Sequence, residues 1–191
     1  TNIESLRLIP SISSLENLAY DDAMKEEIAK LHGRKGLRIA EHCAAVSYVY
    51  KLKYWSNNHR VIGYFVEPIE GNRLPIIVYN RGGTGEHFRL EDRHCFMRFG
   101  RFVDLGYAII ASQYSGNCGS EGKDEIGGSD VDDVLNLYGI LQNYPRADVS
   151  KIGMVGGSRG GMMTYQCLTR APWIKAAISL AGSSNYYRLF E

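Results

Sequence analysis

One stretch constrains this chain more than any other. Gly156-Gly157-Ser158-Arg159-Gly160 follows the apolar run Ile152-Gly153-Met154-Val155 and precedes Met162, Met163, Tyr165 and Gln166, which begin a helix-like segment. The pattern G-x-S-x-G has physical content only where a buried strand turns sharply into a helix. On such a turn the serine backbone is strained, so small neighbours are needed on both sides. Gly156 and Gly160 let strand and helix approach closely. The Ser158 hydroxyl is then held above the sheet at a helix N-terminus, whose dipole favours developing negative charge. The competing reading is a glycine-rich turn that caps the helix or cradles a phosphate. The strand before and the helix after favour a nucleophile elbow.

The rest of the chain supplies the sheet that this turn needs. Leu74–Tyr79, Tyr107–Ala111 and Ala176–Leu180 are three further apolar runs of the kind buried on both faces of a parallel sheet. Helical patterns lie between them. Phe99, Phe102 and Val103 share one face of a segment ending at Gly106, and Val131, Val134, Leu135 and Tyr138 share one face of another, with Ser129 as its N-cap. Strand and helix therefore alternate, the signature of parallel strands joined by right-handed crossovers. Ahead of them, Val46, Tyr48, Tyr50 and Leu52 alternate along one strand and Val61–Val66 form the next, with a turn at Ser56-Asn57-Asn58. Leu15 to Leu31 reads as a helix that Gly33 stops, with Lys35-Gly36 as a connection. The expected architecture is an α/β three-layer sandwich with a mixed, mostly parallel sheet and an N-terminal antiparallel hairpin at its edge. Residues 1–36 form an N-terminal helical segment and 37–191 a partial core.

Two loops at the carboxyl ends of strands add to the site. Asn80-Arg81-Gly82-Gly83-Thr84-Gly85 follows the first apolar run, and its glycines let backbone N–H groups face a tetrahedral oxyanion. One donor would be Gly82 or Gly83; the other would be the N–H of Arg159, the residue after the nucleophile. A nucleotide-phosphate loop is the alternative, but neither G-x-G-x-x-G nor G-x-x-x-x-G-K-[ST] fits. The second loop is Tyr114-Ser115-Gly116-Asn117-Cys118-Gly119-Ser120-Glu121-Gly122. Arg81 and Tyr114 are candidate substrate contacts.

Composition excludes several classes. A net charge of +1 does not support a nucleic-acid binder driven by general charge excess. No apolar run approaches the ~18 residues of a membrane span. Residues 1–10 lack the basic and apolar regions of a signal peptide. The four cysteines, Cys43, Cys95, Cys118 and Cys167, are scattered without C-x-x-C spacing, which reads as reduced thiols in a cytoplasmic protein. Asp130, Asp132 and Asp133 lack calcium-loop spacing and read as an acidic helix start favoured by the dipole. No metal and no cofactor are expected.

Together these pieces resemble an α/β-hydrolase, and more narrowly the catalytic domain of the prolyl oligopeptidase family. The Gly-Gly-Ser158-Arg159-Gly-Gly elbow carries the resemblance, with Ser120–Glu125, the Gly127-Gly128-Ser129-Asp130-Val131-Asp132-Asp133-Val134 stretch and Ala181-Gly182-Ser183. It spans about residues 43 to 187, and it implies a serine peptidase or esterase acting through an acyl-enzyme. The chain departs from the family pattern at Ser115, where many relatives carry Arg, and at Arg81, where many carry His or Tyr. A Tyr at that position can donate to the oxyanion, so the second donor is open here.

Serine attack needs a base, and in this fold the order is Ser, then Asp or Glu, then His. His32, His42, His59, His87 and His94 all precede Ser158. The expectation is that the Asp and His lie outside this chain, in missing C-terminal strands or in a complementing copy. The alternatives are a base from His87 or His94, and a non-catalytic binding or scaffold domain that keeps the elbow. A strand at Ala176–Leu180 left at the sheet edge is expected to need a partner segment. The expected ligand is a small-molecule ester or a peptide, and a homo-oligomer is one way to complete the site.

Overall fold

The alternation of Tyr48, Tyr50 and Leu52 becomes a hairpin. In a computed structural model describing residues 2–184, β2 (Ser47–Ser56) and β3 (His59–Pro68) pair antiparallel from Ser47 opposite Pro68 to Ser56 opposite His59. Asn57 and Asn58 turn the chain with φ of 45° and 66°, the doubly left-handed geometry of a two-residue hairpin loop that asparagine tolerates. The apolar runs become β4 (Leu74–Asn80), β5 (Ala108–Ser112), β6 (Ala147–Gly157) and β7 (Ile174–Leu180). Between them lie α3 (Asp92–Arg98) and α4 (Gly100–Asp104), then α5 (Val131–Gln142), then α6 (Arg159–Leu168). The notional cap Ser129 lies one residue too early, since Asp130 holds the N-cap position of α5.

The N-terminal region differs from the expected single helix. After α1 (Asn2–Arg7), residues Ile12–Asn17 form strand β1, which pairs antiparallel with β2, Leu15 opposite Leu52 and Asn17 opposite Tyr50. Ser13, Ser14 and Asn17 are weak helix formers, and the open edge of β2 supplies backbone partners that a helix would forgo. The helix α2 (Asp22–Val46) starts only where Asp21 caps it, its carboxylate accepting from the Met24 N–H at 2.9 Å. Gly33, at φ 61° and ψ −164°, is non-helical and breaks α2 into two helices that meet at a kink, the stop its sequence position predicts, while Lys35-Gly36 lies in the second helix rather than in a connection.

The seven strands run in the order β1-β2-β3-β5-β4-β6-β7. The hairpin is therefore not an edge. β1 lies outside it, and β3 continues antiparallel onto β5, after which β5, β4, β6 and β7 are mutually parallel. One core layer packs Tyr54, Phe65, Val78, Ile110 and Met154 under Leu137 of α5 and Met163 of α6. The opposite layer packs Val66 and Ile109 under Ile28 of α2 and Phe96 of α3. β4 sits in the middle of the parallel strands, so its carboxyl end and that of β6 open side by side. β7 has no partner on its outer side among the described residues, and its Ile178 and Leu180 are 55% and 60% exposed.

A buried tie joins the hairpin to the parallel half. The Tyr54 hydroxyl lies 2.7 Å from the Asp133 carbonyl oxygen, to which it donates, and 2.8 Å from the Ser112 hydroxyl. Tyr54 is fully buried, so these groups have no water to replace it. Tyr54→Phe is expected to cost about 1–2 kcal/mol. Urea unfolding followed by circular dichroism should show a lower midpoint at unchanged slope; an unchanged midpoint would show that the tie contributes nothing.

Candidate active site

The elbow forms because β6 runs straight into α6 with one residue between them. Ser158 is that residue, at φ 54° and ψ −122°, a left-handed conformation that side chains rarely adopt. Its flanking glycines are required by contact. A Cβ on Gly156 would sit 2.1 Å from the Gly160 oxygen, and one on Gly160 would sit 2.0 Å from the Asn80 oxygen. The Ser158 N–H donates to the Leu180 oxygen at 2.8 Å, which ties the turn to β7. The Ser158 carbonyl accepts from Gly161 and Met162 at 2.9 and 3.2 Å. That leaves the N–H of Arg159, at the start of the helix, with no acceptor among the described residues. Ser158 itself is exposed.

The loop after β4 closes against this turn. A Cβ on Gly82 would meet the Gly157 oxygen at 3.1 Å and the Ser158 Cβ at 3.6 Å. Gly83, at φ 71°, turns the loop back so tightly that a Cβ there would lie 2.2 Å from the His87 oxygen. Gly83 and Ser158 line one cleft of about 700 Å³ together with Thr84, His87, Phe88, Ile126 and Met162. A second hollow of about 440 Å³ lies on the other side of the loop, among Lys51, Tyr64, Glu86, Arg89 and Asp92, and does not include Ser158. Its charged groups pair with one another, Lys51 with Asp92 and Arg89 with Glu86.

Both arginines of the site are buried, and of the two only Arg159 borders the cleft. Arg81 is 1% exposed and Tyr114 is fully buried, and neither lines the cleft, unlike the substrate contacts expected of them. The Tyr114 hydroxyl donates to the Arg81 carbonyl at 2.9 Å. The Arg81 and Arg159 guanidinium carbons lie 5.1 and 4.8 Å from the centroid of its ring. Arg159 donates to both oxygens of Asp124, at 3.0 and 2.5 Å, to a carboxylate oxygen of Asp130, and to the Gly83 carbonyl at 3.1 Å. One side chain thus binds the loop after β4, the 124–130 segment and the elbow together.

Asp124 and Asp130 are site residues that the sequence reading missed. Asp130 also accepts from the Gly127 N–H at 2.9 Å, and Asp133 accepts from the Ser115 N–H at 2.6 Å and from the Ser56 hydroxyl at 2.6 Å. The acidic start of α5 is therefore mostly buried bonding, with Asp130 0% and Asp133 1% exposed. The available signal was Arg159 itself, because a cation beside a nucleophile elbow is buried and needs a carboxylate. Arg159 holds Asp124 below the usual carboxylate range against the opposing effect of burial, while burial outweighs the hydrogen bonds at Asp133 and raises it.

Of the five histidines only His87 lines the Ser158 cleft among the described residues. No hydrogen bond there joins its ring to Ser158 or to a carboxylate. His42 pairs with Asp104 at 2.7 Å between α2 and α4. His94, the other candidate base, is engaged in a capping box at the start of α3, its Nδ1 accepting from the Glu91 N–H at 3.1 Å. Burial first, then Arg98 and Arg93, push its pKa down to about 4.

Two predictions follow from this geometry. Ser158→Gly relieves the left-handed strain and is expected to stabilise the protein by about 1 kcal/mol, whereas Ser158→Ala is not. Thermal melts of both variants test this; equal melting points would show that the turn is unstrained. His94 is neutral in the folded chain and protonates more readily unfolded, so the unfolded state binds more protons. Its contribution is present above pH ~6.5 and is lost as pH falls towards about 4. His94→Gln keeps a capping-box acceptor and should flatten the melting-temperature decline across that window; an unchanged decline would assign it to other groups.

Comparison with known proteins places this architecture. Residues 18–191 match the model of the X-Pro dipeptidyl-peptidase (S15) family. The chain is 32% identical over 115 residues to the uncharacterized peptidase YtmA of Bacillus subtilis, covering 60% of this chain and 43% of that protein. It is 40% identical over 128 residues to the putative esterase YitV of the same organism, covering 62% and 48%. The chain thus spans about half the length of these curated relatives. Among solved structures it is similar to an acylaminoacyl peptidase of Pyrococcus horikoshii, with a TM-score of 0.58 and 26% identity over 73% of this chain and 23% of that one. A Paenibacillus acetyl xylan esterase shares the fold at TM-score 0.65 and 13% identity, over 98% of this chain and 59% of that one.

Proposed function

The chain belongs to the X-Pro dipeptidyl-peptidase (S15) family of the α/β-hydrolase superfamily, and from that membership we propose that it carries the nucleophile of a serine hydrolase acting on an ester or amide carbonyl. Ser158 Oγ attacks the carbonyl carbon while a general base takes its proton. The N–H groups of Arg159 and of Gly82 or Gly83 bind the oxyanion. Collapse of the tetrahedral intermediate breaks the carbonyl bond to the alcohol or amine, which leaves with that proton. Water then attacks the acyl-enzyme by the same route and returns the serine.

The observation that carries this reading is the state of Ser158. It is exposed and left-handed at the strand–helix turn, and the Arg159 and Gly83 N–H groups are unbonded among the described residues. Strain of this kind persists where surrounding structure enforces it and clusters at functional positions. The base and its orienting acid come from outside the described residues, either from further polypeptide or from a second copy. The placement of four histidines away from the cleft supports this, as does the span of about half the curated relatives. Relatives named as peptidase and as esterase support both substrate classes. The four free thiols support a reducing, cytoplasmic setting. The second reading is a non-catalytic binding domain on a hydrolase core, and it is favoured by the His87 ring having no hydrogen bond to Ser158 or to a carboxylate among the described residues.

Fluorophosphonate labelling read by peptide mass separates the two. The expected outcome is an adduct on Ser158 that Ser158→Ala abolishes. A folded protein that takes no label would transfer the weight to the binding domain, because an alcohol without a base is a poor nucleophile.

A further inference from the structure

Arg81 is the first residue beyond β4, and its buried guanidinium is hydrogen-bonded entirely to main-chain oxygens. Nε and Nη2 donate to the Gln113 carbonyl at 3.2 and 3.0 Å, and Nη2 reaches the Gly85 carbonyl at 3.4 Å. Nη1 donates to the Gly82 carbonyl at 3.0 Å and the His87 carbonyl at 3.3 Å. Among the described residues no carboxylate pairs with it, in contrast to Arg159. Burial lowers its pKa, yet an arginine remains a cation at neutral pH. An unpaired buried cation is expensive, and here it lies directly under the loop that faces Ser158.

The Gly82 bond sets the direction of a donor. The described chain contains no cis peptide bond, and in a trans peptide unit the C=O and N–H point opposite ways. A guanidinium that holds the Gly82 oxygen therefore turns the Gly83 N–H away from itself. Gly83 lines the cleft with Ser158 and Gly82 does not. Gly82 instead packs against the Gly157 oxygen and the Ser158 Cβ. A charged donor on a carbonyl also strengthens the hydrogen-bonding power of the N–H on the same peptide.

We propose that Arg81 is a positioning residue for the oxyanion hole: it aims and polarises the Gly82–Gly83 peptide, so that the Gly83 N–H is the second donor beside Arg159. This rests on the reading of Ser158 as nucleophile. Arg81 then serves from beneath the loop, without its own side chain touching the substrate.

The test uses phenylboronic acid, which adds to a nucleophilic serine as a tetrahedral anion. In the ¹⁵N-labelled wild-type protein, the Gly83 and Arg159 amide resonances are expected to shift on titration, and the Gly82 amide much less. A shift at Gly82 without one at Gly83 overturns the proposal. Arg81→Met is expected to lower kcat for a p-nitrophenyl ester by about 10²–10³-fold with KM within about twofold, the loss typical of one oxyanion donor. Arg81→Lys, which keeps the charge but not the fork, should recover part of that loss. A folded Arg81→Met variant with wild-type kcat overturns the proposal. If that variant does not fold, the wild-type titration decides. Failure of the wild type to label at Ser158 instead overturns the hydrolase reading, and this inference with it.

Discussion

The contact between Gly160 and the end of β4 is the constraint on which the site depends. The first turn of α6 lies so close to Asn80 that no side chain fits at residue 160. The Asn80 amide donates to the Thr164 hydroxyl at 3.0 Å, and that hydroxyl donates to the Gly160 carbonyl at 2.8 Å. The strand that carries the oxyanion loop and the helix that carries the elbow are thereby fixed to each other at short range. Precision of this order is what the proposed oxyanion hole would require, since its donors must meet a position fixed to within a fraction of an ångström.

Two buried cations share the space beneath that contact, and they are compensated differently. Arg159 spends its charge on Asp124 and Asp130, while Arg81 spends its donors on carbonyl oxygens alone. The Tyr114 ring lies within cation–π range of both guanidinium groups. A paired cation contributes little field at a distance, because its counter-charge cancels it. An unpaired one keeps its field, and dipoles from several carbonyls only partly offset it. The chain thus keeps one buried guanidinium without a carboxylate partner among the described residues beneath the loop after β4, and ties the other to Asp124 and Asp130.

Most of the fold was legible in the sequence because parallel strands buried on both faces leave uninterrupted apolar runs. Leu74–Tyr79 and Ile152–Val155 marked two neighbouring strands of the site directly, and Gly156 to Gly160 marked the turn between strand and helix. Residues Ile12–Asn17 were not legible as a strand. Their pairing is set by the open edge of β2 and not by a local pattern, and Leu15 fits a helical repeat as well as a strand. Gly33 was legible as a stop, since its non-helical backbone ends one helix there, but the second helix that resumes directly after it was not. In the candidate site, Ser158 and the glycines around it were legible as a tight strand–helix turn because backbone geometry demands their residue types. Arg81 and Tyr114 were found but assigned to substrate contact, because a sequence shows that a polar side chain is present and not which way it points. Asp124 and Asp130 escaped because their partner lies 35 and 29 residues away.

Ser158 is anchored to a largely exposed strand of the sheet. The Ser158 N–H is bonded to the Leu180 oxygen, and a Cβ on Gly161 would lie 2.7 Å from the Gly182 Cα. The turn therefore leans on β7 and on the residues just past it, although Ile178 and Leu180 are more than half exposed. An exposed strand opens more readily than a covered one, because fewer apolar contacts resist its separation. An opening of β7 would break the hydrogen bond that the Ser158 N–H makes to the Leu180 oxygen. Polypeptide that covers β7 would favour the closed strand and so the strained serine. Coverage of this edge and the left-handed geometry of Ser158 are in that sense linked through a single backbone hydrogen bond.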